Sequence, residues 1–162
     1  ASCQGEFVVV HNGIVANYKD LKARLTARGH RFVSETDTEV IAHLIEHYYA
    51  ECGQVERAFV SALRDLEGSY ALAMISTHDR ERIFCARHES PLILGLGGNS
   101  NYVGSDFNAF IDYTKDTVIL DDGEYGIVAK DSYAVKSVLT GEPVEKPITV
   151  VPWDPELAGK GG

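Results

Sequence analysis

Two short polar stretches hold the residue types most suited to chemistry. The first is Asn12-Gly13, which follows the β-branched run Val8-Val9-Val10. Asn-Gly is a strong hairpin signal because both residues accept positive φ, yet residues 14–18 lead into a helix and not a returning strand. An asparagine at the mouth of a buried strand can aim its amide N–H₂ into a cavity. The glycine after it lets its own backbone N–H face the same point, because no Cβ blocks the approach. Two such donors suit the oxyanion of an acyl-transfer intermediate; an ordinary turn is the alternative. The second stretch is Ser34-Glu35-Thr36-Asp37-Thr38-Glu39. An Asp just ahead of a helix is commonly a cap, but Asp37 and Thr38 compete for that position and either can be spared. An ionised Asp37 in a pocket would bind a substrate ammonium through a charge-assisted hydrogen bond.

Other candidates have plainer explanations. His43-Leu44-Ile45-Glu46-His47 matches the inverted zinc-protease pattern H-x-x-E-H, with both imidazoles on one helix face. The apolar stripe around it already accounts for the helix, the histidines then lying on its polar face, and no downstream helical glutamate offers a third ligand, so no metal is expected. Gly95-Leu96-Gly97-Gly98 lacks the Lys-Ser/Thr of a phosphate loop and reads as a hairpin turn. Ser69 lacks a nucleophile-elbow context. Cys3 has neither an activating base beside it nor a reason for a lowered pKa, and Cys3, Cys52 and Cys85 all read as inert thiols.

Behind these residues stand elements of two periods. Residues 17–28 read as a helix with Asn17 as N-cap, followed by a short strand at 30–33. A second helix runs to about residue 50 on a stripe of Val40, Ile41, Leu44, Ile45 and Tyr48, and Cys52-Gly53 ends it. Residues 54–66 form a third helix with Val55, Ala58, Phe59, Ala62, Leu63 and Leu66 inward. From Gly68 the period becomes that of strands: 69–76, 82–87, 92–96, 102–104, 117–120, 124–129 and 133–138, with a short helix at 106–113. Including a strand at 6–10 that stops at His11-Asn12-Gly13, this predicts an α+β fold with helices packed on layered sheets.

The chain has 162 residues, one domain by length, and its 44% apolar content is enough for a core. A net charge of −9 argues against a nucleic-acid partner. No apolar run approaches the ~20 residues of a membrane span, no signal peptide is evident, and three unpatterned cysteines point to a reduced, cytoplasmic setting.

Taken in order, His11-Asn12-Gly13-Ile14-Val15-Ala16-Asn17-Tyr18, Gly29-His30-x-Phe32 and the run from Ser34 to His43 resemble the glutaminase domain of glucosamine-6-phosphate synthases. Gly68-Ser69-Tyr70-Ala71, Ala86-Arg87-x-x-Ser90-Pro91-Leu92, Gly104-Ser105-Asp106 and Asp122-Gly123-Glu124 extend the likeness over nearly the whole chain. The wider family is the class II glutamine amidotransferases.

The resemblance implies a four-layer αββα sandwich of the N-terminal-nucleophile hydrolase type. It implies that Asn12 (side-chain amide) and Gly13 (backbone N–H) form an oxyanion hole, and that Asp37 binds the α-ammonium of L-glutamine or L-glutamate with Gly13 lining the pocket. It implies no cofactor. Ammonia would pass to a separate sugar-isomerase domain that acts on fructose 6-phosphate. The nucleophile of the family is an N-terminal Cys opening a Cys-Gly-Ile-Val-like segment, which this sequence lacks, together with the Arg-Trp-Ala-Thr-His-like stretch that grips the glutamine carboxylate. The expectation is therefore a domain truncated at both ends and missing its N-terminal strand segment. Residues 1–141 would form the glutaminase part and the Pro-rich residues 142–162 a linker. Such a chain would be inactive alone and open to homo-oligomerisation at its unpaired edge. The alternative from another class is a catalytically silent amino-acid-binding or interaction module.

Overall fold

A computed structural model of the chain describes residues 5–151; Cys3 and residues 152–162 lie outside the described part. The opening strand does not stop at Asn12-Gly13. It runs as β1 over Phe7–Val15 and pairs antiparallel with β2, Gly68–Ser76, in unbroken register from Phe7↔Ser76 to Val15↔Gly68. A local turn signal has been overridden by a nine-residue ladder, the usual fate of weak propensity in strong tertiary context. β2 turns back into β3, Asp79–His88, which pairs with β7, Glu124–Val128, and β7 pairs with β8, Tyr133–Ser137. The order of this five-stranded sheet is β1-β2-β3-β7-β8, so β1 is an edge.

Three helices cover one face of that sheet: α1 (Tyr18–Ala27), α2 (Asp37–Cys52) and α3 (Val55–Asp65). Their stripes are those expected: Leu21, Leu25, Val40, Ile41, Leu44, Ile45, Val55, Ala58, Phe59, Ala62 and Leu63 are all buried. They meet Phe7, Val9, Leu72, Met74 and Phe84 in the larger core. Gly53, at φ +67, ends α2 in a left-handed cap. Asn17 holds the N-cap position of α1 but its side chain does not cap. Its Nδ2 donates to the Asp65 carbonyl at 2.7 Å and its Oδ1 accepts from the Glu67 N–H at 3.0 Å, tying α1 to the link between α3 and β2.

A second sheet, β5-β4-β6-β9, lies against the other face. It comprises β4 (Ile93–Leu96), β5 (Asn101–Gly104), β6 (Asp116–Ile119) and β9 (Thr149–Val150). Ala71, Cys85, Leu94, Val118, Val128 and Val135 form the smaller core between the sheets. The helix expected at 106–113 is a single 3₁₀ turn, Phe107–Ala109, capped by the Asp106 carboxylate, which accepts from the Asn108 N–H at 2.8 Å. Phe110 follows it and packs on Gly95, where a Cβ would stand 2.6 Å from the ring.

The strand expected at 30–33 is a loop, because the Val33 and Ser34 N–H groups bond to the Glu39 carboxylate instead of a neighbouring strand. Beyond Gly141 the chain stays on the domain. Val144 N–H bonds to the Val135 carbonyl, β9 pairs with β6, and Val151 is buried with its N–H on the Lys115 carbonyl. No helix among the described residues is long and apolar enough to cross a membrane.

Candidate active site

The two stretches singled out by residue type meet at the C-terminal end of β1. Asp37 is the first residue of α2; the cap position belongs to Thr36, which makes no side-chain cap bond. Asp37 and Thr38 are thus both excused from capping, and both reach β1. The Asp37 Oδ2 accepts the Val15 N–H at 3.2 Å, and its Oδ1 lies 3.4 Å from Nε2 of His11. That second approach lacks hydrogen-bond geometry, and the buried His11 Nε2 has no other partner among the described residues. Thr38 Oγ1 and His11 Nδ1 are 2.7 Å apart. Asp37 therefore touches residues 11 and 15 and spans the Asn12-Gly13 step between them.

Glu39 orders the loop that delivers Asp37. Its carboxylate accepts from the Val33 N–H at 2.7 Å, the Ser34 N–H at 2.8 Å and the Ser34 hydroxyl at 2.5 Å, and lies 3.3 Å from His43 Nε2. Burial alone would raise its pKa. The bonds from Ser34 and Val33, with His43, overcome that and hold it at about 2.

Gly13 has φ +103, and a Cβ there would sit 2.0 Å from the Ser69 carbonyl oxygen. Glycine is required by the approach of β2, a constraint distinct from clearance for a substrate. Asn12 lies on the opposite face of β1 from His11, and its amide has no internal side-chain partner among the described residues. It opens on a cavity of about 200 Å³ lined also by Val10, Ala71, Leu92, Val103 and Ser105. Asp37 and Gly13 do not line that cavity. The Asp37 carboxylate, held at one oxygen by the Val15 N–H, can meet an ammonium, and the Asn12 amide can donate to a carbonyl oxygen.

Sequence reasoning offered Thr38 only as a possible cap and gave no separate role to His11, which bonds to Thr38 beside Asp37, or to the segment after β3. There His88 Nδ1 is 2.7 Å from the Gly68 carbonyl, Ser69 and Ser90 hydroxyls are 3.0 Å apart, and Arg87 pairs with Asp122 at 2.9 Å. Glu89 takes φ +67, and its N–H bonds to the Asp122 carboxylate at 2.8 Å. In the sequence this segment is marked by its polar run ahead of Pro91 and by the Ala86-Arg87-x-x-Ser90-Pro91-Leu92 likeness.

Cys85 is fully buried between the sheets, and burial pushes its thiol up to about 12. Cys52 is half-buried at the end of α2, its thiol on the Gln54 carbonyl. His43, expected on a polar face, is 1% exposed, packed under Phe32 and His30.

A helix layer on an antiparallel sheet, backed by a second sheet, is the α+β arrangement of the amidotransferases with the N-terminal-nucleophile type of fold. The glutamine phosphoribosylpyrophosphate amidotransferase from B. subtilis superposes with a TM-score of 0.70 at 25% identity, over 85% of this chain and 30% of that one. An allosteric regulatory enzyme of purine biosynthesis gives 0.68 at 25%, over 84% and 29%. The chain belongs to the glutamine amidotransferase domain family, whose model matches residues 1–112.

Within that family it is 50% identical, over 99% of its length, to the glutamine–fructose-6-phosphate aminotransferase (isomerizing) of Pyrococcus horikoshii. It is 44% identical over 98% to that of Aquifex aeolicus. The chain spans 27% and 26% of the length of these two relatives.

Proposed function

We propose that this chain carries the oxyanion-binding and ammonium-binding half of a glutaminase site. Asp37 holds the α-ammonium of L-glutamine. Asn12 Nδ2 and the Gly13 N–H receive the oxyanion as a thiolate adds to the side-chain amide carbon. Ammonia leaves with a proton, and water hydrolyses the thioester to L-glutamate. The observation that carries this reading is the seating of Asp37 across the Asn12-Gly13 step, with one carboxylate oxygen on Val15 N–H and lone pairs left for a ligand.

The thiolate comes from a Cys-Gly-Ile-Val-like segment and not from Cys52 or Cys85, whose positions keep both from attack. In the whole enzyme the ammonia serves the conversion of fructose 6-phosphate to glucosamine 6-phosphate, in the reduced cytoplasm. The glutaminase part extends past Gly141 through β9 to Val151, which pack on the domain, and the residues that follow lead towards the isomerase. The open edge at β1 favours self-association.

The test is ammonia release and ligand binding by the 162-residue chain. The expected result is L-glutamate binding that Asp37→Ala abolishes with the fold intact, and no ammonia until a Cys-Gly-Ile-Val-bearing segment is supplied. Asn12→Ala in the reconstituted complex should then lower turnover by about 10²–10³. Ammonia released by the chain alone and lost in Cys3→Ser would make Cys3 the nucleophile. Binding of glutamate unchanged in Asp37→Ala would overturn the ammonium role.

A further inference from the structure

The H-x-x-E-H stretch is not used by the proposed function, and the fold gives it a third group that no spacing rule supplies. His30, in the loop after α1, turns back onto α2 so that its Nδ1 lies 3.1 Å from His43 Nδ1 and 3.6 Å from Glu46 Oε1. Ligand atoms of all three residues fall within 4.8 Å of one another. We propose that His30, His43 and Glu46 bind a divalent transition ion of the zinc class.

Three observations carry this. The first is spacing. Around a tetrahedral zinc with bonds of about 2.0–2.1 Å, ligand atoms stand about 3.3 Å apart. The two measured separations bracket that value, and rotation of the Glu46 carboxylate closes the third. The second is the outer shell. Glu39 Oε1 faces His43 Nε2 at 3.3 Å. That carboxylate holds the proton on Nε2 and leaves Nδ1 in the form that ligates metal, as carboxylate–histidine–metal triads do. The third is access. The cluster borders an open groove of about 390 Å³, lined by Glu6, His30, Glu46, His47, Tyr49 and His78, from which the ion and a water as fourth ligand can enter.

Burial, then the neighbouring His43, with a smaller contribution from His47, pushes His30 below the ordinary histidine value, while Glu46 pulls the other way. His47, the second histidine of the motif, is turned elsewhere: its Nε2 accepts from Arg28 at 2.9 Å and lies 3.3 Å from Glu51. The ligand set is thus His30, His43 and Glu46, a different triad from the one the motif suggests. A bound ion would fasten the loop at residue 30 to α2, a few residues ahead of the Val33-Ser34 turn held by Glu39.

The test uses the 162-residue chain stripped with a chelator and titrated with ZnCl₂, then with CoCl₂ for its visible spectrum. One zinc per chain is expected, retained through desalting, with a rise in melting temperature and the d–d bands of low-coordinate cobalt carrying nitrogen ligands. His30→Gln and Glu46→Gln should each weaken binding at least about tenfold. Their metal-free melting curves, compared with the parent's, show whether the fold is kept. His47→Gln should bind as the parent does. No retained zinc, or equal affinity in the parent and both ligand variants, overturns the site. So does binding that follows His47 or the cysteines.

Discussion

The two faces of β1 are built from the same kind of residue and live in different surroundings. Towards the helices, Phe7, Val9 and Val15 are at most 5% exposed. Towards the second sheet, Val8, Val10 and Ile14 are 41–71% exposed, and Ile75, opposite Val8 on β2, is 51% exposed. Deeper in the same sheet Cys85 and Val128 are buried on that face by the four-stranded sheet. The second sheet therefore covers the centre of the first and leaves its β1 edge open. The candidate site lies at this boundary. His11 and Asp37 are held on the packed side, while Asn12 faces the open one. Rigid positioning on one face and access on the other is the division a binding site needs.

The sharpest test of the packed face is Phe7→Ala. Phe7 is fully buried, edge-on to Tyr49 at 5.4 Å and near His78. Truncation should cost about 3–5 kcal/mol in denaturant unfolding. A loss under 1 kcal/mol would mean that the helices do not grip β1. Gly13→Ala comes next. Its Cβ would strike the Ser69 carbonyl at a backbone angle that disfavours side chains. A loss of about 2 kcal/mol or more is expected, from strain and displacement of β2. Stability unchanged in this variant would show that the β1–β2 ladder opens at its end.

Glu39 brings pH into the same comparison. Its folded-state pKa of about 2 lies below the ordinary 4.5. The stability it confers is complete above about pH 5 and drains away as pH falls from there towards about 2. Unfolding followed across that window should show the decline in the parent. Glu39→Gln should begin less stable and decline less steeply, because glutamine has no proton to gain. Parallel curves would mean that other carboxylates dominate the acid limb.

The helical layer was legible because its period is local: stripes such as Val40, Ile41, Leu44 and Ile45 need no knowledge of the partner. The same holds for Gly53 as a stop. Asp37 and Asn12 could be selected by chemical type, and the fold does bring their segments to one end of β1. What was not legible depends on contacts between distant residues. Asn12-Gly13 looks like a turn until nine residues of β2 pair with it. Residues 30–33 look like a strand until the Glu39 carboxylate takes the Val33 and Ser34 N–H groups. His43 looks like a surface residue until His30 and Phe32 fold over it. The Thr38–His11 bond beside Asp37 crosses 27 positions, beyond any periodicity.

The smallest expected effect probes the open face directly. Val10 is 66% exposed and lies beside Asn12 at the cavity mouth. Val10→Thr keeps the β-branch, so strand propensity is little changed, and it exchanges one methyl for a hydroxyl that water can satisfy. Stability at low protein concentration should stay within about 0.5 kcal/mol of the parent. Such a result leaves the contrast with Phe7 as large as the burial values imply. A second copy of the chain seated on Val8, Val10 and Ile14 would change the outcome in a recognisable way. Val10→Thr would then lose stability increasingly as concentration rises, because assembly stabilises the folded chain by mass action. Light scattering would show the parent self-associating and the variant less so. A concentration-independent loss of 1 kcal/mol or more would instead mean that residues of the same chain cover this face, and that the two sides of β1 are alike in solution.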